Sequence, residues 1–313
     1  MGSAIVSTDL HLAGAEDLSF IPLAVAAVAW VGLGAVVTAR FLVQRDRFDQ
    51  EARSPAAFTG PAGTSVLGAR LAILGWWWAG LVLLLIAAVL WVRLLRPVLR
   101  SWANPAMGTG FLLAISTASL AVLAATLAVV GGTAWPALLS LIPLTLALGF
   151  YVFVVRSFDL DQLRRGRGDQ WAAGGAIAIS TLACARASQA ALALHLLGPG
   201  AAVLRWATLG LWIAAACWLP LLALTELARP RLGYDPRRWA TVFPVGMYAA
   251  SSFVAGTVAG TAAIADFARA WTWVASGVWV AVLAATLWQP VDLLRRSVIP
   301  QGAGASRQAS AHL

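Results

Sequence analysis

The sequence predicts an all-α polytopic membrane protein of ten transmembrane helices, paired as five hairpins around a central pore. Three observations carry that expectation. Hydrophobic residues make up 60% of the 313 and charged residues 11%. The mean hydropathy is +0.81, which is more apolar surface than one globular core can hide from water. Apolar segments recur along the whole chain, most of them near the ~20 residues that a crossing needs. Arginines cluster after every second segment and are sparse elsewhere.

The segments run roughly over 1–14, 20–42, 57–75, 77–95, 106–130, 134–155, 170–197, 200–226, 239–263 and 270–293. The first is short and begins at Met1 already inside an apolar pattern, so the first helix is expected to be truncated at its start or partial. No basic stretch precedes Gly2 to Gly14, as a cleavable signal peptide would require, so this helix is expected to be retained. Phe58 to Leu95 is too long for one crossing at ~1.5 Å per residue and should fold back near Gly75 to Trp78. Residues 1–296 read as one transmembrane domain, and 297–313 as a disordered cytoplasmic tail rich in Gly, Ala and Ser.

The formal net charge is +9, and all 22 basic residues are arginines. In a soluble protein that excess suggests nucleic acid; here it falls in alternate loops and no nucleic-acid partner is expected. The clusters are Arg40, Arg45, Arg47 and Arg53; Arg93, Arg96 and Arg100; Arg156, Arg164, Arg165 and Arg167; Arg229, Arg231, Arg237 and Arg238; Arg295, Arg296 and Arg307. The intervening loops at Glu16/Asp17, Gly75, Gly131/Gly132, Gly198/Pro199 and Asp266/Arg269 are short and nearly free of arginine. The positive-inside rule then puts both termini in the cytoplasm of a multi-pass protein of the cell membrane, with the lipid bilayer as its solvent.

Few residues suggest chemistry. Cys184 and Cys217 lie inside apolar runs without CxxC spacing, and His11, His195 and His312 are scattered, so neither a metal nor another cofactor is expected. Trp76 to Trp78, Trp271 and Trp273 read as an aromatic belt at headgroup level. Asp159-Leu-Asp161 raises a rival reading, a membrane enzyme acting on a lipid or prenyl diphosphate. That chemistry needs several clustered carboxylates around Mg²⁺, whereas arginines surround this pair. The chain therefore reads as no enzyme, with a non-conducting regulatory membrane protein as a further alternative.

Small polar residues divide the odd segments from the even ones. The odd segments carry Ser7; Thr64 and Ser65; Ser116 and Thr117; Ser180 and Thr181; Ser251 and Ser252, while Trp77 to Leu95 holds no Ser or Thr. Glycines also gather there, and Ala4-Ile-Val-Ser-Thr8, Ala114-Ile-Ser-Thr117 and Ala178-Ile-Ser-Thr181 echo one another as an internal repeat would. Close helix packing uses such residues too, yet packing alone does not predict their segregation into alternate helices. An inner ring of odd helices around a polar path does, with the nine hydroxyls as its lining and greasy even helices outside. Hydroxyls and helix dipoles in such a path suit a partly dehydrated anion.

Trp239-x-x-x-Phe243-Pro244-x-Gly246-x-Tyr248 resembles the most characteristic motif of the tellurite-resistance/C4-dicarboxylate transporter family, which includes the plant slow anion channels. Gly2 to Thr8, Ala62 to Gly68, and Gly168-Asp-Gln-Trp171 leading into Ala176 to Ala183 support the resemblance. It implies ten helices in five hairpins about a quasi-fivefold axis, a pore lined by the odd helices and a homotrimer. The cargo it implies is a small inorganic or dicarboxylate anion: tellurite, a C4-dicarboxylate such as malate, sulfite, nitrate or chloride. It also carries onto Phe243 the role of occluding the pore, with Pro244 beside it bending the helix and freeing a carbonyl.

Three charges fall inside odd segments, where ionisable groups are costly and often functional. One or both of Arg70 and Arg186 are expected to give the outer half of the pore a positive potential, with Asp9 pairing to one of them or carrying a proton in coupled transport. The bland alternatives are a structural ion pair, or arginines snorkelling to the headgroups.

Overall fold

The computed structural model describes residues 1–165, 168, 170–228, 235 and 238–298, with the backbone alone for 164–165 and 290–298. In chain order its α-helices are α1 (Gly2–Leu12), α2 (Glu16–Val43), α3 (Arg45–Glu51), α4 (Thr59–Ile73), α5 (Trp77–Arg100), α6 (Leu112–Gly131), α7 (Ala134–Ser157), α8 (Gln162–Arg165), α9 (Trp171–Ala193), α10 (Gly200–Ala228), α11 (Trp239–Ala259) and α12 (Ala262–Val298). Among the described residues there is no strand, only an isolated bridge between Ala106 and Phe158. Of the expected tail, 297–298 continue α12 and 299–313 lie outside the described residues, as do Asp169 and most of the loop arginines after α7 and α10.

Among the described residues eight helices are long and apolar enough to cross a membrane, where ten were expected. The two that fall short are α1, with 11 residues, and α4, with 15. Pro55 opens a 3-10 turn, Pro55–Phe58, that takes up the start of the third expected crossing. Gly75, at φ +89°, makes the fold-back between α4 and α5, a conformation that glycine adopts freely. At the other end of the chain α12 starts at Ala262, eight residues before the expected segment. The Asp266/Arg269 loop is instead its first turns, with the two side chains paired on the exposed surface.

Burial sorts these helices into two layers. In the membrane-length stretches of α6, α9 and α11 the buried share is 89%, 78% and 83%, against 17–22% in α2, α5, α7, α10 and α12. Helices α1 and α4 belong with the buried set, since nearly every residue from Gly2 to Leu10 and most from Pro61 to Ala72 are buried. The five buried helices form a closed ring: α1 packs on α4, α4 on α6, α6 on α9, α9 on α11, and α11 on α1. Each is followed in the chain by an outer helix that packs on it and leans on the next inner helix, α12 completing the circle on α1. Leu, Val, Ile and Trp cover the exposed faces of the outer layer, which is what a hydrocarbon solvent selects.

One hydrogen bond recurs around this circle. An indole N–H on an outer helix donates to a hydroxyl on the next inner helix: Trp30 of α2 to Thr64 of α4 (2.9 Å), Trp91 of α5 to Thr117 of α6 (2.9 Å), Trp212 of α10 to Ser252 of α11 (2.9 Å) and Trp279 of α12 to Ser3 of α1 (3.0 Å). At the remaining step, α7 to α9, the aromatics of α7 packed on the core are Phe150 and Tyr151. The expected aromatic belt is also smaller than composition suggests. Trp76, Trp78 and Trp273 are exposed, but Trp77 donates to the Leu127 carbonyl (3.1 Å) and Trp271 to the Val245 carbonyl (3.0 Å).

If these bonds hold the layers together, Trp91→Phe and Thr117→Val should each lower stability in detergent by about 1 kcal/mol. The double variant should lose little more than either single one, which a double-mutant cycle of thermal or denaturant unfolding reads. Fully additive losses would contradict the bond.

Candidate functional site

The ring encloses a chamber on its axis, and every inner helix supplies part of the wall. Helix α1 gives Ile5, Thr8 and Leu12; α4 gives Val66, Ala69 and Ile73; α6 gives Val122 and Thr126; α9 gives Ile179, Leu182 and Arg186; α11 gives Met247. Spacings of three and four residues put each set on one helical face. The lining runs from mid-helix toward the C-terminal ends of α1, α4, α6 and α9, so the chamber occupies that half of the ring. The wall is apolar except for three side chains. Thr8 and Thr126 donate to carbonyls of their own helices, Ala4 (3.0 Å) and Val122 (2.7 Å). That leaves the guanidinium of Arg186 as the charged group of the lining, and its Nη1 donates to Gln189 Oε1 (3.1 Å).

Phe243 is four residues before Met247 on α11 and shares its face, about 6 Å further from the chamber along the helix. It is buried and does not line the chamber. Pro244 lies inside α11, where it has no N–H to give the Ala240 carbonyl. Its ring packs on Gly175 of α9 so closely that a Cβ there would fall 2.9 Å from Cγ and 3.3 Å from the proline Cα. Gly246 makes similar room for α1: a Cβ would meet Ile5 Cγ2 at 2.7 Å and Asp9 Oδ2 at 3.0 Å.

None of the nine hydroxyls expected along the path lines the chamber. Thr64, Thr117 and Ser252 receive the indoles described above. Ser180 and Thr181 donate to the carbonyls of Ala176 (2.8 Å) and Ile177 (2.9 Å), and Ser251 to that of Tyr248 (3.4 Å). Ser7 accepts from Arg70 Nε (3.0 Å), while Ser65 and Ser116 are buried without a hydrogen-bond partner. Of the twelve lining residues only Arg186 was an expected site residue; the other eleven, Thr8, Thr126 and Met247 among them, were not. The signal available was register: each falls in a three- or four-residue step on a face shared with an expected site residue or an apolar neighbour.

The three intramembrane charges separate. Arg186 faces the chamber, and Arg70 does not. Arg70 is fully buried, which rules out snorkelling, and it is held by Ser7, by Glu16 Oε1 (2.9 Å) and by Ser19 Oγ (2.7 Å). Glu16 also takes His11 Nδ1, so His11, though remote from the other histidines in sequence, is part of a polar cluster. Asp9 pairs with neither arginine; its carboxylate is buried against Gly246 and the Ala250 backbone of α11. Away from the ring, Asp159 Oδ1 accepts the Asp161 amide (3.0 Å), a local turn. Among the described residues no group of three or more His, Cys, Asp or Glu is placed to hold a metal ion.

Comparison with known proteins adds an independent line. The family model described as voltage-dependent anion channel matches residues 1–287. Proteins from two strains of Mycobacterium tuberculosis, CDC 1551 / Oshkosh and ATCC 25618 / H37Rv, each described as an uncharacterized membrane protein, are 31% identical over 137 residues. The match covers 41% of this chain and 66% of each relative, just under two thirds of their length. No solved structure matches significantly.

The contact between Gly175 and Pro244 makes a stability prediction. Gly175→Ala must push α9 and α11 apart against backbone and should cost about 1–3 kcal/mol. Gly60→Ala, where a Cβ meets nothing within 4 Å, should be neutral or stabilising. Thermal unfolding of the two variants side by side checks both.

Proposed function

Because the chain belongs to the voltage-dependent anion channel family, we propose that it passes small anions across a membrane along the axis of its inner helices. The observation that carries this reading is the axial chamber, walled by all five inner helices and charged by Arg186. A fixed cation in a low-dielectric wall attracts anions and repels cations, with an effect that salt screens. Arg186 fills that role better than Arg70, which does not line the chamber and whose Nε and Nη2 donate to Ser7, Glu16 and Ser19.

In this reading α1 and α4 complete ten transmembrane helices in five hairpins, the short pair being sheltered by the outer layer. The loop arginines set both termini in the cytoplasm of the cell membrane, so the chamber faces outward and Phe243 lies on its cytoplasmic side. Phe243 closes the path, with Pro244 wedged on Gly175 fixing where the ring sits. Of the nine expected hydroxyls, those of Ser65 and Ser116 are left to turn toward a passing ion; Ser7, Thr64, Thr117 and Ser252 tie helices together, and Ser180, Thr181 and Ser251 bond to their own helices. Asp9 is the candidate proton carrier should movement be coupled to a pH gradient. Tellurite, C4-dicarboxylates, sulfite, nitrate and chloride are the candidate cargoes, and a homotrimer is the assembly that the family resemblance suggests.

The test is uptake by purified protein in liposomes of chloride, nitrate, sulfite, malate and tellurite, with and without a pH gradient. Arg186→Gln should lower anion flux by about tenfold at low ionic strength and by less at high salt. Phe243→Ala should raise it. Asp9→Asn should leave passive flux in place and remove any dependence on the gradient. Flux unchanged in both the Arg186 and Phe243 variants would sink the proposed path.

A further inference from the structure

The floor of the chamber is itself a barrier. Val66, Ile179 and Met247 are each about one turn beyond a contact between neighbouring inner helices, Gly63 on Met1 for the first and Gly175 on Pro244 for the other two, and all three line the chamber. Ile5 joins them, because it packs against Gly246, the neighbour of Met247. All four side chains are almost completely buried, at 4% exposure or less. They come from four of the five inner helices, and none offers a hydrogen-bond donor to an ion leaving water. Arg186 is about two turns further along α9 than Ile179, so its charge stands above the floor and does not relieve the barrier.

We infer that the path is sealed twice in series, by an apolar collar of Ile5, Val66, Ile179 and Met247 and then, about one turn beyond it, by Phe243. The inference rests on the axial path proposed above and adds a second, selective element to it. An anion drawn to Arg186 meets a constriction that stays dry until the ring widens, as hydrophobic gates do. Met247 is the member best suited to give way, since an unbranched thioether side chain repacks more readily than Ile or Val.

Thiol labelling tests the collar without relying on anion flux. In a Cys184→Ala/Cys217→Ala background, a small membrane-impermeant methanethiosulfonate is applied from the chamber side to Met247→Cys and to Phe243→Cys. Labelling of the Met247→Cys variant, with the Phe243→Cys variant untouched, is expected. Adding Met247→Ser to Phe243→Cys should wet the collar and make that thiol reactive; Ile179→Ser, on another helix, should do the same should the first variant fold poorly. Labelling of Phe243→Cys with the collar intact, no labelling of Met247→Cys, or an unreactive Phe243→Cys in both serine backgrounds would each overturn the inference. A protein that labels as expected yet passes no anion would instead overturn the proposed function and leave the collar standing.

Discussion

In hydrocarbon an unpaired hydroxyl or N–H finds no water, so every polar group on a membrane helix has to be answered by protein. Within helices the structure meets this requirement through hydroxyls given to carbonyls one turn back; between helices one bond recurs, an indole on an outer helix given to a hydroxyl on the next inner one, at four of the five steps round the ring. Each indole bond ties one helix pair to the next rather than a pair to itself. The inner helices are thereby held in a circle, and the outer layer can be almost purely apolar where it meets lipid. A chamber on the axis follows from that circle.

How wide the circle is depends on the glycines. Gly175 lets the Pro244 ring sit against α9, and Gly246 lets Ile5 and Asp9 of α1 sit against α11. Both contacts involve the helix that carries Phe243, so the position of this ring is set by close approach on two sides. The same approaches bring Ile5 and Met247 together at the base of the chamber. That packing lies at the base of the chamber, and the guanidinium of Arg186 stands at its other end.

Much of the architecture was legible in composition. Arginine-bearing loops marked the turns, and the split of Ser, Thr and Gly between alternate segments marked the buried helices. The role given to the hydroxyls was not legible. An inner helix is surrounded by protein on all sides, so it has no polar and apolar face to show which residues look inward. Thr64, Thr117 and Ser252 face outward to tryptophans that are 34, 26 and 40 residues away. Arg70 was placed with Arg186 for the same reason, since its partner Glu16 is 54 residues distant and pairs with it only once α2 and α4 meet. Segment length misled too: α4 and the turn before it read as one apolar run, although proline and glycine bound a helix of 15 residues.

The account stands on an anion resting in the axial chamber. Anomalous scattering from crystals of the protein grown or soaked in bromide would locate such an ion directly. Bromide beside the Arg186 guanidinium, on the chamber side of Met247, and lost in Arg186→Gln, is the result predicted. A chamber empty of bromide in crystals that bind it elsewhere would contradict the account.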